Sequence, residues 1–312
     1  MAITAAMVKE LREMTGAGMM DCKKALASTE GNMEAAVDFL REKGLATAQK
    51  KAGRIAAEGI VATALTDDAK KAVVVEVNAE TDFVAKNEKF QNYVAEVAAQ
   101  ALNTSAADID AFMEESWASD SSKTVKEALA AQIAVIGENM NIRRFQQVTE
   151  ENGFVASYIH AGGKIGVLVD VQTNVITDEI KEMAKNLAMQ IAALKPIYTN
   201  SSEVDEEYKA HELEIIKAQI ENDPKMAGKP EKVISGAVMG RLNKQLKEIC
   251  LMDQVYVKAE DGKQLVSAYV AQVAKANSAD ITIKGFVRYE TGEGLEKKNE
   301  DFAAEVAAQM NQ

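Results

Sequence analysis

Apolar residues follow two periods along this chain. From Val73 to Val77 a nearly continuous β-branched run reads as a buried strand, and it ends in a polar turn. Beyond the turn Phe83, Phe90, Val94 and Val97 keep helical spacing, and Thr81 or Asp82 can cap that helix. An acidic and a bulky apolar group therefore meet at one strand-to-helix corner. Local physics alone reads Asp82 as a cap and Phe83 as the first core residue, because such caps are common.

The same strand pattern occurs twice. Gly59-Ile60-Val61-Ala62-Thr63-Ala64 is echoed by Gly153-Phe154-Val155-Ala156-Ser157-Tyr158, and Ala72–Val77 by Gly166–Val171. Each pair reads as a hairpin, turning at Asp67-Asp68 in one copy and at Gly162-Gly163-Lys164 in the other. An amphipathic helix follows each hairpin, at about 83–102 and 178–194, and a third strand closes each copy, Ile142–Val148 and Ile283–Tyr289. The repeat predicts an α+β fold with two similar subdomains, 58–149 and 150–290, each an antiparallel sheet covered by helices.

Residues 1–45 have the pattern of three short helices. Thr4 can cap the first, Thr15-Gly16-Ala17-Gly18 breaks it, and Gly31-Asn32 precedes a third that ends near Gly44. Residues 46–57 are Ala-, Lys- and Gln-rich and read as a linker or exposed helical connector. The second copy carries an insertion at about 202–248. Two helical patterns flank Asn222-Asp223-Pro224 and Gly228-Lys229-Pro230, which predicts an antiparallel helical hairpin with a charged outer face.

The net charge of -12 argues against direct nucleic-acid binding, which normally shows a basic surface. Lys50, Lys51 and Arg54 form the best local basic patch and fit a solvated linker better. No apolar run is long enough to span a bilayer and no leader pattern begins the sequence, so a cytoplasmic protein is expected. Cys22 and Cys250 lie far apart without metal-ligand spacing and read as reduced thiols, although two cysteines also permit a disulfide. No cofactor, metal or enzymatic activity is expected. His160 and His211 have no nucleophile partner at a diagnostic spacing, and Gly162-Gly163-Lys164-Ile165 lacks both the spacer and the hydroxyl of a phosphate loop.

Three blocks carry a resemblance to a known family. They are Leu11–Leu26, with Met14-Thr15-Gly16-Ala17-Gly18-Met19-Met20-Asp21-Cys22-Lys23 at its centre; Asn78–Asn87; and Thr291–Lys297 running on to Asp301–Ala308. In this order they resemble bacterial elongation factor Ts, the nucleotide-exchange factor for the GTPase elongation factor Tu, and the resemblance spans essentially the whole chain. It implies that residues 1–45 form a ubiquitin-associated-like domain and that 291–312 form a helical module against the partner. It also implies that Asp82 and Phe83 intrude near the magnesium site of the GTPase. Docking contacts carried over in the same way are Met19, Met20 and Lys23 on the N-terminal domain, Ile136 and Gly137, His160, and Ile249 after the helical arm. Bare chemistry reads paired methionines at a helix start equally well as core, Lys23 as merely exposed, and a lone surface histidine as incidental.

Two other classes compete. A ubiquitin-associated-like domain also suits an adaptor that holds ubiquitin or a nascent chain, but that reading leaves the repeat and the corner unexplained. An enzyme is disfavoured by the lack of a nucleophile or cofactor motif. Whether one factor serves one GTPase, or a homodimer acts, is left open by the sequence.

Overall fold

The computed structural model describes residues 3–297. Helix α1 (Ala5–Thr15) starts at Thr4, whose hydroxyl accepts from the Met7 amide, and stops at left-handed Gly16. Helices α2 (Met19–Ser28) and α3 (Met33–Lys51) follow. Val8, Leu11, Cys22, Ala25, Leu26 and Ala36 form a small core of their own. The third helix does not end at Gly44. Ala46–Lys51, in the segment read as a linker or exposed helical connector, are helical and complete α3, because Gly44 is buried where α3 crosses a later helix, 3.6 Å from the Ala130 carbonyl for an added Cβ. Here glycine marks helix packing rather than a helix end.

The first sheet uses β1 (Glu58–Leu65) and β2 (Lys71–Ala79). The helix expected over 83–102 is divided into α4 (Asp82–Ala85) and α5 (Glu88–Asn103), because the Asn87 side chain accepts from the Lys89 amide and starts a new helix. Then come α6 (Ile109–Met113), a small hairpin of β3 (Ser116–Trp117) and β4 (Asp120–Thr124), and α7 (Val125–Ile136), which opens with a full capping box at Thr124 and Glu127. Strand β5 (Met140–Thr149) completes the antiparallel order β1-β2-β5.

The second copy repeats this plan with β6 (Gly153–His160), β7 (Ile165–Thr173) and α8 (Asp178–Leu194). The inserted helical hairpin is α9 (Glu206–Glu221) and α10 (Glu231–Ile249), zipped by Ile216, Ile220, Val238 and Leu242. Helix α11 (Val266–Ala276) precedes β8 (Ile281–Glu290), and the sheet order is β6-β7-β8. Both sheets carry a bulge at the same place, Glu76/Val77 in β2 and Asp170/Val171 in β7.

The two sheets lie face to face. Val73, Val75 and Val77 face Phe90, Val94 and Val97, while Ala72 and Val74 on the other face of β2 meet Val61, Val155, Leu168 and Val287. Burial on both faces is why the β2 sequence shows a run rather than an alternation. Close approach needs Gly166, where a Cβ would stand 2.4 Å from Val61 Cγ1. Cys22 and Cys250 are both buried and unpaired.

Candidate functional site

The corner after β2 is built by its caps. Thr81, with extended backbone, caps α4 by accepting from the Val84 amide at 3.5 Å. Asp82 is therefore the first helical residue rather than the cap. Its carboxylate accepts from Lys86 Nζ at 2.6 Å, one turn on. That bond, reinforced by the charges of Lys86 and Lys164, holds the Asp82 carboxyl below the usual carboxylate range, so it is anionic at neutral pH.

Phe83 is not a core residue. It is 80% exposed, whereas Val84 beside it is buried and Phe90, Val94 and Val97 are fully buried. An isolated exposed apolar residue is ordinary, but among the described residues the Phe83 ring is the most exposed of the large apolar side chains, which makes it the candidate contact of this corner. Phe83 and Val84 line a shallow cleft with Asn87, Val135 and Ile136. Ile136 is half-buried at the end of α7, and exposed Gly137 closes that helix at φ +89°, its amide donating to Ile133 O. The fold thus brings Asp82, Phe83, Ile136 and Gly137 to one edge.

The remaining candidate residues lie outside this cleft. Met19 and Met20, at the start of α2, are 47% and 65% exposed, so neither belongs to the N-terminal core; Lys23 is exposed beside them. His160 is exposed at the end of β6, with its Nδ1 2.9 Å from the Tyr158 hydroxyl. Ile249 is half-buried, and its carbonyl accepts from the amides of Ile197 and Tyr198, which ties it to the base of the helical arm. The helix expected over Asp301–Ala308 lies outside the described residues.

Two groups at the corner were missed by sequence reasoning. Glu138 accepts from both the amide and the hydroxyl of Thr81, at 3.0 and 2.6 Å. Glu80 accepts from the Asn139 amide at 2.6 Å and from Arg54 at 3.4 Å. Their only sequence signal is that polar residues flank both the cap and the helix-ending glycine.

These features define an α+β binding protein that offers an anion and an aromatic ring on a braced edge; among the described residues no group of three or more side chains is arranged to hold a metal ion. The family model for Elongation factor TS matches residues 80–293. Elongation factor Ts of Clostridium novyi (strain NT) is 52% identical over 310 residues, and that of Clostridium tetani (strain Massachusetts / E88) is 52% identical over 308, with 99% of each chain covered in both cases. The chain belongs to the elongation factor Ts family. It is a translation elongation factor of the nucleotide-exchange kind and not a catalytic enzyme.

Proposed function

We propose that the protein binds the GDP form of elongation factor Tu and speeds GDP release by inserting the Asp82–Phe83 corner beside the magnesium and phosphate site. GDP in a GTPase is held by a phosphate-binding loop and by magnesium bridging phosphate to protein oxygens. Displacing the magnesium leaves phosphate charge uncompensated, and the nucleotide leaves faster. By linkage, the factor weakens GDP binding by the same ratio by which GDP weakens factor binding.

The observation that carries this reading is the exposure of Phe83, 80% in the free protein. Burying a phenyl side chain in a partner contributes about 2–3 kcal/mol, which corresponds to roughly 30- to 150-fold in an equilibrium. If that contact forms only as the GTPase rearranges, it is differential and drives exchange. Met19, Met20 and Lys23, Ile136 and Gly137, His160 and Ile249 would supply docking that holds the partners together meanwhile. Such an activity belongs in the cytoplasm, where translation takes place.

The test is release of fluorescent GDP from purified elongation factor Tu with catalytic amounts of the protein, wild type beside Phe83→Ala and the Asp82→Ala/Phe83→Ala double variant. Phe83→Ala should fold normally, since exposed positions usually shift stability by within about 0.5 kcal/mol, yet lose stimulated release by at least about tenfold. Wild-type stimulation by a folded Phe83→Ala protein would remove the wedge from the mechanism.

A further inference from the structure

A four-residue helix has no stability of its own, because helix nucleation is costly. Helix α4 is that short, and Phe83 at its second position is 80% exposed, so little packing fixes it. The place of the ring is therefore inherited from the backbone of Thr81–Val84.

That backbone is held by the loop that follows α7. The chain turns sharply at Gly137, φ +89°, and Glu138 then spends both carboxylate oxygens on Thr81. Oε2 takes the Thr81 amide, and Oε1 takes the hydroxyl. With its proton committed to Glu138, the Thr81 oxygen presents its lone pairs to the Val84 amide, and this is the bond that starts α4. The bracing is reciprocal. Glu80 accepts from the Asn139 amide, and the Asn139 side chain donates to the Arg54 carbonyl at 2.8 Å, while the Arg54 guanidinium reaches Glu80. The corner, the loop and the segment between α3 and β1 thus form one hydrogen-bonded unit. Glu138 makes no other hydrogen bond among the described residues.

We propose that Glu138 is a positioning residue for nucleotide exchange: it fixes Thr81, and through it the direction of Phe83, before the partner arrives. A ring already aimed forgoes the ordering cost that a loose corner would meet on binding. The functional half of this inference rests on the exchange reading above; the structural half does not.

The experiment compares wild type, E138A and E138Q in the full chain. Amide hydrogen exchange at Thr81 and Val84 should be at least about tenfold faster in E138A, given the strength of charge-assisted hydrogen bonds, while the amides of Val75 in β2 and Val94 inside α5 stay protected. E138Q, which keeps one acceptor oxygen, should fall between and supplies the measurement if E138A folds poorly. In the GDP-release assay, E138A should raise the factor concentration giving half-maximal stimulation by about tenfold. It should add little in a Phe83→Ala background, because a residue acting through the ring has nothing left to position. Unchanged amide exchange at Thr81 and Val84 in both variants overturns the proposal, and so does an E138A effect undiminished in the Phe83→Ala background. If Phe83→Ala itself exchanges normally, the exchange reading fails, and the amide rates still decide whether Glu138 sets the corner.

Discussion

Glu76 is the most deeply buried carboxylate among the described residues. It lies on β2 at the bulge, fully buried, and its carboxylate accepts from four donors: Asn78 Nδ2 at 3.1 Å, Arg143 Nη1 at 3.1 Å, Arg144 Nε at 2.6 Å and the Gly292 amide at 2.8 Å. These come from β2, from β5 and from the turn after β8, so one side chain fastens both subdomains to the departing C-terminal chain. Glu76→Gln keeps the shape but removes the charge and points an NH2 group at donors. Arg144 retains Glu293 at 3.5 Å and the Tyr289 ring at 4.0 Å, whereas the ion pair to Glu76 is the one the described residues give Arg143. Breaking a buried pair costs about 3–5 kcal/mol. Because the two arginine side chains are 22% and 30% exposed, we expect the lower end, about 3 kcal/mol. With a urea slope of about 3 kcal/mol/M, the unfolding midpoint falls by about 1 M at unchanged slope. Amide exchange at Gly292 should rise in parallel, which reports the local effect if the chain does not unfold in two states. A loss below about 1 kcal/mol would mean that desolvation of the carboxylate cancels its attraction to the arginines, and the fastening role would be refuted.

Two further predictions concern stability. Asp170 occupies the place of Glu76 in the second copy, but it pairs across the sheet with Gly285 where Glu76 pairs with Arg144. Burial first, then the Glu150 carboxyl beside it, push the Asp170 carboxyl up to about 6 against the opposing charge of Lys284. A carboxyl whose folded value lies above its unfolded one binds more protons when folded, so it costs stability as pH rises from about 4 through 6. Asp170→Asn should therefore stabilise the protein at pH 7.5 by about 1 kcal/mol, discounted for partial exposure, with the gain gone near pH 4; an equal gain at both pH values in denaturant titrations refutes the assignment. Gly166→Ala places a methyl against Val61 and should destabilise by about 2 kcal/mol, whereas Gly285→Ala, with nothing within 4 Å, should not; similar urea midpoints for the two variants would show that the sheets are not in tight contact there.

Much of this architecture was legible because it rests on short-range physics. The doubled hairpin motif, the third strands and the inserted helical hairpin all follow from apolar period and turn chemistry. What escaped was set by tertiary contact. Gly44 reads as a helix end until α7 is seen beside it. Helix α11 buries Val266, Val270 and Val273 at helical spacing, but no capping side chain and no acidic first turn mark its start in the sequence. The small β3–β4 hairpin is mostly polar and offers little pattern. At the corner, Thr81, Asp82 and Phe83 were visible, but Glu138 was not, since it lies 57 residues from Thr81 and no local rule links a carboxylate to a distant cap.

The exposure of Phe83 follows from a break that the helical pattern conceals. Phe83 and Phe90 are seven residues apart, two turns of helix and within about 20° of the same face. In a continuous helix both would be buried. Lys86 and Asn87 interrupt it, and the new helix from Glu88 sets its own phase, so Phe90 enters the core while Phe83 is left outside. The second copy shows the alternative: Thr177 caps α8, which runs unbroken from Asp178 to Leu194 with Ile180 and Met183 buried in its first two turns. The same strand-to-helix corner gives an ordinary core helix in one copy. In the other, a short capped segment, braced by Glu138, detaches an aromatic ring from the core and leaves it in water.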